Sequence, residues 1–93
     1  MPNRIIREGW VDSEAIDRLV PDAERFFLRL CLVADDAGRF DGRPDILRSR
    51  LFPLKSSLRL IDVTKNLSDC VREGLVIPYE YQTKPYLQII KFQ

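Results

Sequence analysis

The side chains in this sequence that could do chemistry are cations gathered in one stretch. Arg43, Arg48, Arg50, Lys55, Arg59, Lys65 and Arg72 lie in residues 43–72, against only Asp45, Asp62 and Asp69. Residues 1–42 lean acidic, and residues 73–93 balance. The chain as a whole carries a net charge of +1, so the distribution says more than the total. A basic block of this kind is a candidate surface for phosphates, since an anion responds to the local field. An ordinary solvated face accounts for the same charges about as well.

Catalytic chemistry finds little to work with. The sequence has no histidine, which removes the commonest acid–base side chain and most zinc-binding sets. Cys31 and Cys70 are far apart, and both fall on apolar helical faces. They read as buried structural thiols, because a free cysteine packs as a small hydrophobe and neither has a base to activate it. Without a secretory leader the pair does not suggest a disulfide framework. Asp35 and Asp36 are adjacent carboxylates at a helix end. Neighbours i and i+1 point apart on a helix, so a solvated turn explains them better than a metal site. There is no glycine loop to cradle a phosphate. The expectation is a protein that is not an enzyme, with no cofactor and no metal.

The elements that must position the cations follow from patterning. Ninety-three residues suffice for one domain with a modest core. No apolar run approaches the roughly 20 residues that span a bilayer, and "MPNRIIREGW" is not an apolar leader. Cytoplasm, with no membrane partner, is the expected location. Asp12 reads as the N-cap of a short first helix, with Val11 and Ile16 as a hydrophobic staple. That helix should end by Val20, because Pro21 disfavours helical geometry in the residue before it. Pro21 then opens a second helix, whose stripe is Ala23, Phe26, Phe27, Leu30, Cys31 and Ala34, widened by Leu28, Leu32 and Val33. Gly38 permits a reversal, and Arg39-Phe40 allows only a very short strand. "RPDILRSRLFP" predicts a third helix opening at Pro44 and closing before Pro53. A fourth runs from Leu60 to Glu73 and stops at Gly74. Its inner stripe is Val63, Leu67, Cys70 and Val71, and its outer face is Asp62, Lys65, Asp69 and Arg72, flanked by Asn66 and Ser68. Leu75, Ile77, Tyr79 and Tyr81 alternate as the buried face of a strand, Gln82 to Pro85 turn, and Tyr86 to Phe92 return. Pro78 belongs at a sheet edge.

Two helices separated by a compact turn, then a β-ribbon, is the layout of a winged helix-turn-helix. The fold expected is α+β, mainly α, with three to four helices, a C-terminal hairpin wing and a very short third strand. The sequence also resembles the N-terminal winged-helix domain of phage and prophage replication proteins, the replisome-organiser or DnaD-like initiation group. The matching pieces are "MPNRIIREG", "DDAGRFDGRPDILRSRLFP" and "CVREGLVIPYEYQTKPYLQIIKFQ". They cover essentially the whole chain, and "DDAGRF", "REGL" and "KPYLQI" together are the most telling. The resemblance implies a single domain over residues 1–93 that binds DNA or self-associates, with a separate C-terminal domain engaging helicase or single-stranded DNA. Such a domain is either cut from a longer protein or free-standing.

On this reading the helix at 60–73 is the recognition helix, and duplex DNA is favoured over single strands. Ile61, Asp62, Lys65 and Asn66 are placed to reach base edges. Arg48, Arg50, Lys55 and Arg59 would hold phosphates, Arg72 continues the outward face, and Lys84 adds a contact at the wing tip. A homodimer would double these contacts. The alternatives are a winged helix used for protein assembly, through Tyr79, Tyr81 and Tyr86, and a prophage transcription regulator.

Overall fold

In the computed structural model, which describes residues 9–90, five helices and a three-stranded antiparallel sheet form a small α+β fold. The order is α1 (Gly9–Asp12), α2 (Glu14–Asp17), α3 (Pro21–Val33), β1 (Arg39–Asp41), α4 (Pro44–Leu51), α5 (Leu60–Arg72), β2 (Val76–Tyr81) and β3 (Lys84–Ile89). The opening piece of the resemblance, up to residue 8, and the expected strand end at Phe92 lie outside the described residues. No helix among the described residues is long and apolar enough to cross a membrane.

The first helix differs from expectation by its cap. Ser13, not Asp12, caps α2, and its hydroxyl accepts from the Ile16 amide at 3.3 Å. Asp12 belongs to the separate turn α1, and Val11 is exposed rather than stapled to Ile16. The reason is Trp10, which pins α1 onto α3. Its indole N–H donates to Glu24 at 2.8 Å, and its ring stacks on Phe27 with centroids 5.4 Å apart.

Val20 is extended, with ψ 157°, as the following Pro21 requires. Along α3, Ala23, Phe26, Phe27 and Leu30 are buried, whereas Leu28, Cys31 and Val33 are only partly so and Leu32 is exposed. The buried stripe is therefore narrower than the sequence suggests, because α4 and α5 pack against one side of α3. Arg29 ties this layer together. It donates to the Leu51 carbonyl at 2.7 Å and lies over the Phe52 ring, 4.8 Å from its centroid. One orphan carbonyl of the α4 C-terminus is satisfied in this way.

α4 and α5 sit where the prolines and Gly74 predict. Gly74 takes φ +77°. Its amide donates to Val71 and that of Leu75 to Cys70, the reciprocal pair that closes a helix through a left-handed residue. That closure buries Leu75 but breaks its alternation with the strand that follows.

The strand order is β1-β3-β2, with Val76 opposite Ile89, Pro78 opposite Leu87 and Tyr79 opposite Tyr86. This register turns Val76 and Leu87 onto the helices and leaves Ile77, Tyr79 and Tyr81 exposed. The alternation that starts at Leu75 predicts those three side chains buried. Leu75 instead belongs to the helix closure, and a one-residue shift of the alternation exchanges the faces. The Ile90 amide donates to the Leu75 carbonyl, so the odd-numbered residues of β2 exchange ladder bonds with β3. Pro78 consequently turns its missing N–H to the open edge, where it discourages another strand from pairing. β3 starts at Lys84, two residues before the expected start, because the turn is only Gln82 and Thr83.

Both turn residues have positive φ, 51° for Gln82 and 66° for Thr83. A two-residue hairpin of this hand favours Asn-Gly, and a β-branched residue there is strained. Replacing Gln82-Thr83 with Asn-Gly should raise the unfolding free energy by about 1–2 kcal/mol. The check is urea denaturation with an unchanged m-value.

Cys70 is buried and Cys31 partly exposed, which corrects the expectation of two buried thiols. Burial pushes the Cys70 thiol up to about 12. Iodoacetamide at mildly alkaline pH should therefore label Cys31 in the native protein and Cys70 only on unfolding, as read by mass spectrometry.

Candidate functional site

The segment from α4 through the turn to α5 carries most of the expected site residues. Pro44 starts α4, and Asp41 organises the approach by accepting from the Arg43 amide at 2.8 Å. Arg48 is half-buried on α4 and donates to the Leu58 carbonyl at 3.4 Å, which draws the turn against the helix. Arg50 is exposed, with its guanidinium 5.5 Å from the centre of the Phe40 ring. Lys55 projects from the turn and Lys65 from the N-terminal half of α5, both exposed.

The remaining arginines are already engaged. Arg59 precedes α5 and pairs with Asp62 at 3.2 Å, and the same carboxylate accepts from the Arg59 amide at 3.4 Å. Arg72 pairs with Asp69 at 2.9 Å and with Glu73 at 3.7 Å. Asp69, expected on the outward face, is largely buried beneath it. Arg48, Arg50, Lys55 and Lys65 have no ion pair among the described residues. The uncompensated charge of the basic block is thus smaller than its composition implies, and it clusters between α4 and the first half of α5.

Lys55, Asp62, Lys65 and Asn66 meet in one cavity of about 290 Å³, which Asp22 and Arg25 at the start of α3 also line. Asn66 is 8% exposed, so it is not on the outward face. The sequence reading missed Asp22 and Arg25 because nothing local announces which helix end will abut α5. Lys84 stands apart, opposite Tyr81 in the hairpin, and Arg72 lies at the far end of α5.

A second surface covers the outer face of the sheet. Tyr79 and Tyr86 stack with centroids 5.7 Å apart. With Tyr81, Arg39 and Asp41 they line an open hollow of about 640 Å³. Asp35 also lines it, but that carboxylate is occupied by the α3–β1 turn. It accepts from the amides of Ala37 and Arg39 at 3.0 and 2.8 Å and pairs with the Arg39 guanidinium at 3.1 Å. Among the described residues no cluster of three potential ligands could hold a metal ion.

These contacts hold three carboxyls below their ordinary range. The Arg39 amide is the leading cause at Asp35, the Arg43 side chain at Asp41 and the Arg59 side chain at Asp62. A lowered carboxyl contributes stability that is complete above the unfolded value and is lost as pH falls through the folded one. In an NMR titration all three should titrate below an ordinary aspartate, and Arg59→Gln should return Asp62 alone toward its usual value.

No protein-family model matches this chain, and no curated protein or solved structure matches it.

Proposed function

We propose that the protein is a winged helix-turn-helix DNA-binding module of the kind found in phage and prophage replication-initiation proteins, the replisome organisers. The observation that carries this reading is the coincidence of layout and charge. Two helices joined by a compact turn run directly into a hairpin, and the cations without an ion pair gather on those helices and their turn. α5 is then the recognition helix. Exposed Ile61 on its N-terminal half approaches base edges, while Arg48, Arg50, Lys55 and Lys65 take phosphates. Arg59 and Arg72 contribute only by releasing their carboxylates, and Lys84 at the hairpin reaches the backbone beside the groove.

About four phosphate contacts imply weak non-specific affinity, in the micromolar to 100-micromolar range at physiological salt. A homodimer would double them. Helicase engagement would rest with a separate domain. Exposed Tyr79 and Tyr81, with half-buried Tyr86 stacked on Tyr79, support a second reading, a docking face for a protein partner, since tyrosine is enriched at such interfaces.

Fluorescence anisotropy with labelled duplex and single-stranded oligonucleotides of about two helical turns tests the first reading. Duplex binding should weaken with salt, with a logarithmic slope of about −0.9 per phosphate neutralised. Lys55→Glu with Lys65→Glu should abolish it, and Asp62→Asn should strengthen it by freeing Arg59. No binding even at low salt would overturn the DNA reading and shift the weight to the tyrosine face.

A further inference from the structure

The cavity beside α5 contains a polar side chain that the fold itself does not use. Asn66 is 8% exposed, and its amide makes no hydrogen bond with the described residues. Every side-chain nitrogen or oxygen sealed from solvent among those residues has a partner. The Asn66 amide therefore keeps its access through the cavity that it lines. An amide that keeps donor and acceptor capacity open toward a cavity can bond whatever occupies it. Its placement suits a ligand that supplies the missing partner.

The charges around it select the sign of that ligand. Of the two carboxylates lining the cavity, Asp22 is held by Arg25 at 3.7 Å and Asp62 by Arg59 at 3.2 Å. Lys55 and Lys65 have no such partner among the described residues. The N-terminus of α3 reaches the same space through Val20 and Asp22, and no side chain caps it. A helix N-terminus carries partial positive charge and unpaired amides. Two ammonium groups without an ion pair among the described residues, an amide donor and an uncapped helix start favour an anion with several acceptor oxygens, although the Lys65 charge also acts on Asp62. Phe52 and Leu58 add an apolar wall suited to the organic part of such a ligand.

We propose that this cavity is a phosphate seat, in which Lys55, Lys65 and the Asn66 amide hold the phosphate of a nucleotide. The phosphate has two possible sources, the DNA backbone or a free mononucleotide. With the backbone as source, the proposal rests on the DNA-binding reading and places one phosphate contact in a formed site. With a free nucleotide as source, it stands independently.

The test is an NMR titration of the isotopically labelled full chain, following the Asn66 side-chain amide and the first backbone amides of α3. The probes are inorganic phosphate, a nucleoside monophosphate and a short duplex, against sodium chloride at matched ionic strength. Saturable shifts with the phosphate-bearing probes and none with chloride are expected. Lys65→Gln, an exposed substitution that the fold tolerates, should weaken binding roughly tenfold. Asn66→Leu should remove the response to phosphate while leaving the backbone spectrum folded. Absence of a saturable shift with any probe, or the same shift with chloride, overturns the proposal. Duplex binding by anisotropy that leaves Asn66 unmoved overturns the seat and spares the DNA reading. Shifts with the monophosphate but no duplex binding keep the seat, with a free nucleotide as ligand, and remove the DNA reading.

Discussion

The buried face of α3 is the constraint on which the rest of the fold depends. Phe26, Phe27 and Leu30 are fully enclosed, and each neighbouring element covers part of them or of the core continuous with them. Trp10 closes one end by stacking on Phe27. α4 and α5 cover the side through Leu47, Leu51, Val63 and Cys70, and the sheet completes the enclosure with Val76 and Leu87. A chain of this length has little apolar surface to spare, so a single helix serves as the centre of the core. Arg29 follows the same economy, bonding to the end of α4 while its guanidinium covers Phe52.

Around this core the polar side chains divide into two groups with opposite consequences. Arginines next to acidic residues are consumed in local structure. Asp35 with Arg39, Asp41 with Arg43 and Asp62 with Arg59 each organise a turn or a helix start. Exposed pairs of this kind add little to stability, but they remove cations from any anion-binding surface. Lys55, Lys65, Arg48 and Arg50 form no ion pair among the described residues. Electrostatic opportunity in this molecule is therefore set by pairing rather than by composition.

Strain and exposure meet in the hairpin. Its tip holds Gln82 and Thr83 in a left-handed geometry that neither favours, and its outer face displays three tyrosines. Tyrosine suits such a position because its ring is apolar while its hydroxyl can bond solvent, and here Tyr79 and Tyr86 stack on each other. Proline at the open edge guards the same sheet against pairing with another chain. An aromatic face combined with a blunted edge favours contacts made by side chains over contacts made by strand addition.

Much of this was legible in the sequence. Pro21, Pro44 and Gly74 place helix boundaries through backbone geometry alone, and the spacing of Ala23, Phe26, Phe27 and Leu30 marks the central stripe. Pro78 at an edge and the very short strand at Arg39 follow from equally local rules. The cap at Ser13, the face on which the tyrosines lie and the burial of Asn66 and Asp69 do not. Each depends on what arrives from elsewhere in the chain: Trp10 on Phe27, the pairing of Val76 with Ile89, and the start of α3 against α5. Local sequence determined where the backbone turns, because steric and hydrogen-bond limits act within a few residues. Tertiary structure alone decided which cations remain unpaired and which amide lines a cavity, because those depend on distances between elements that no local pattern records.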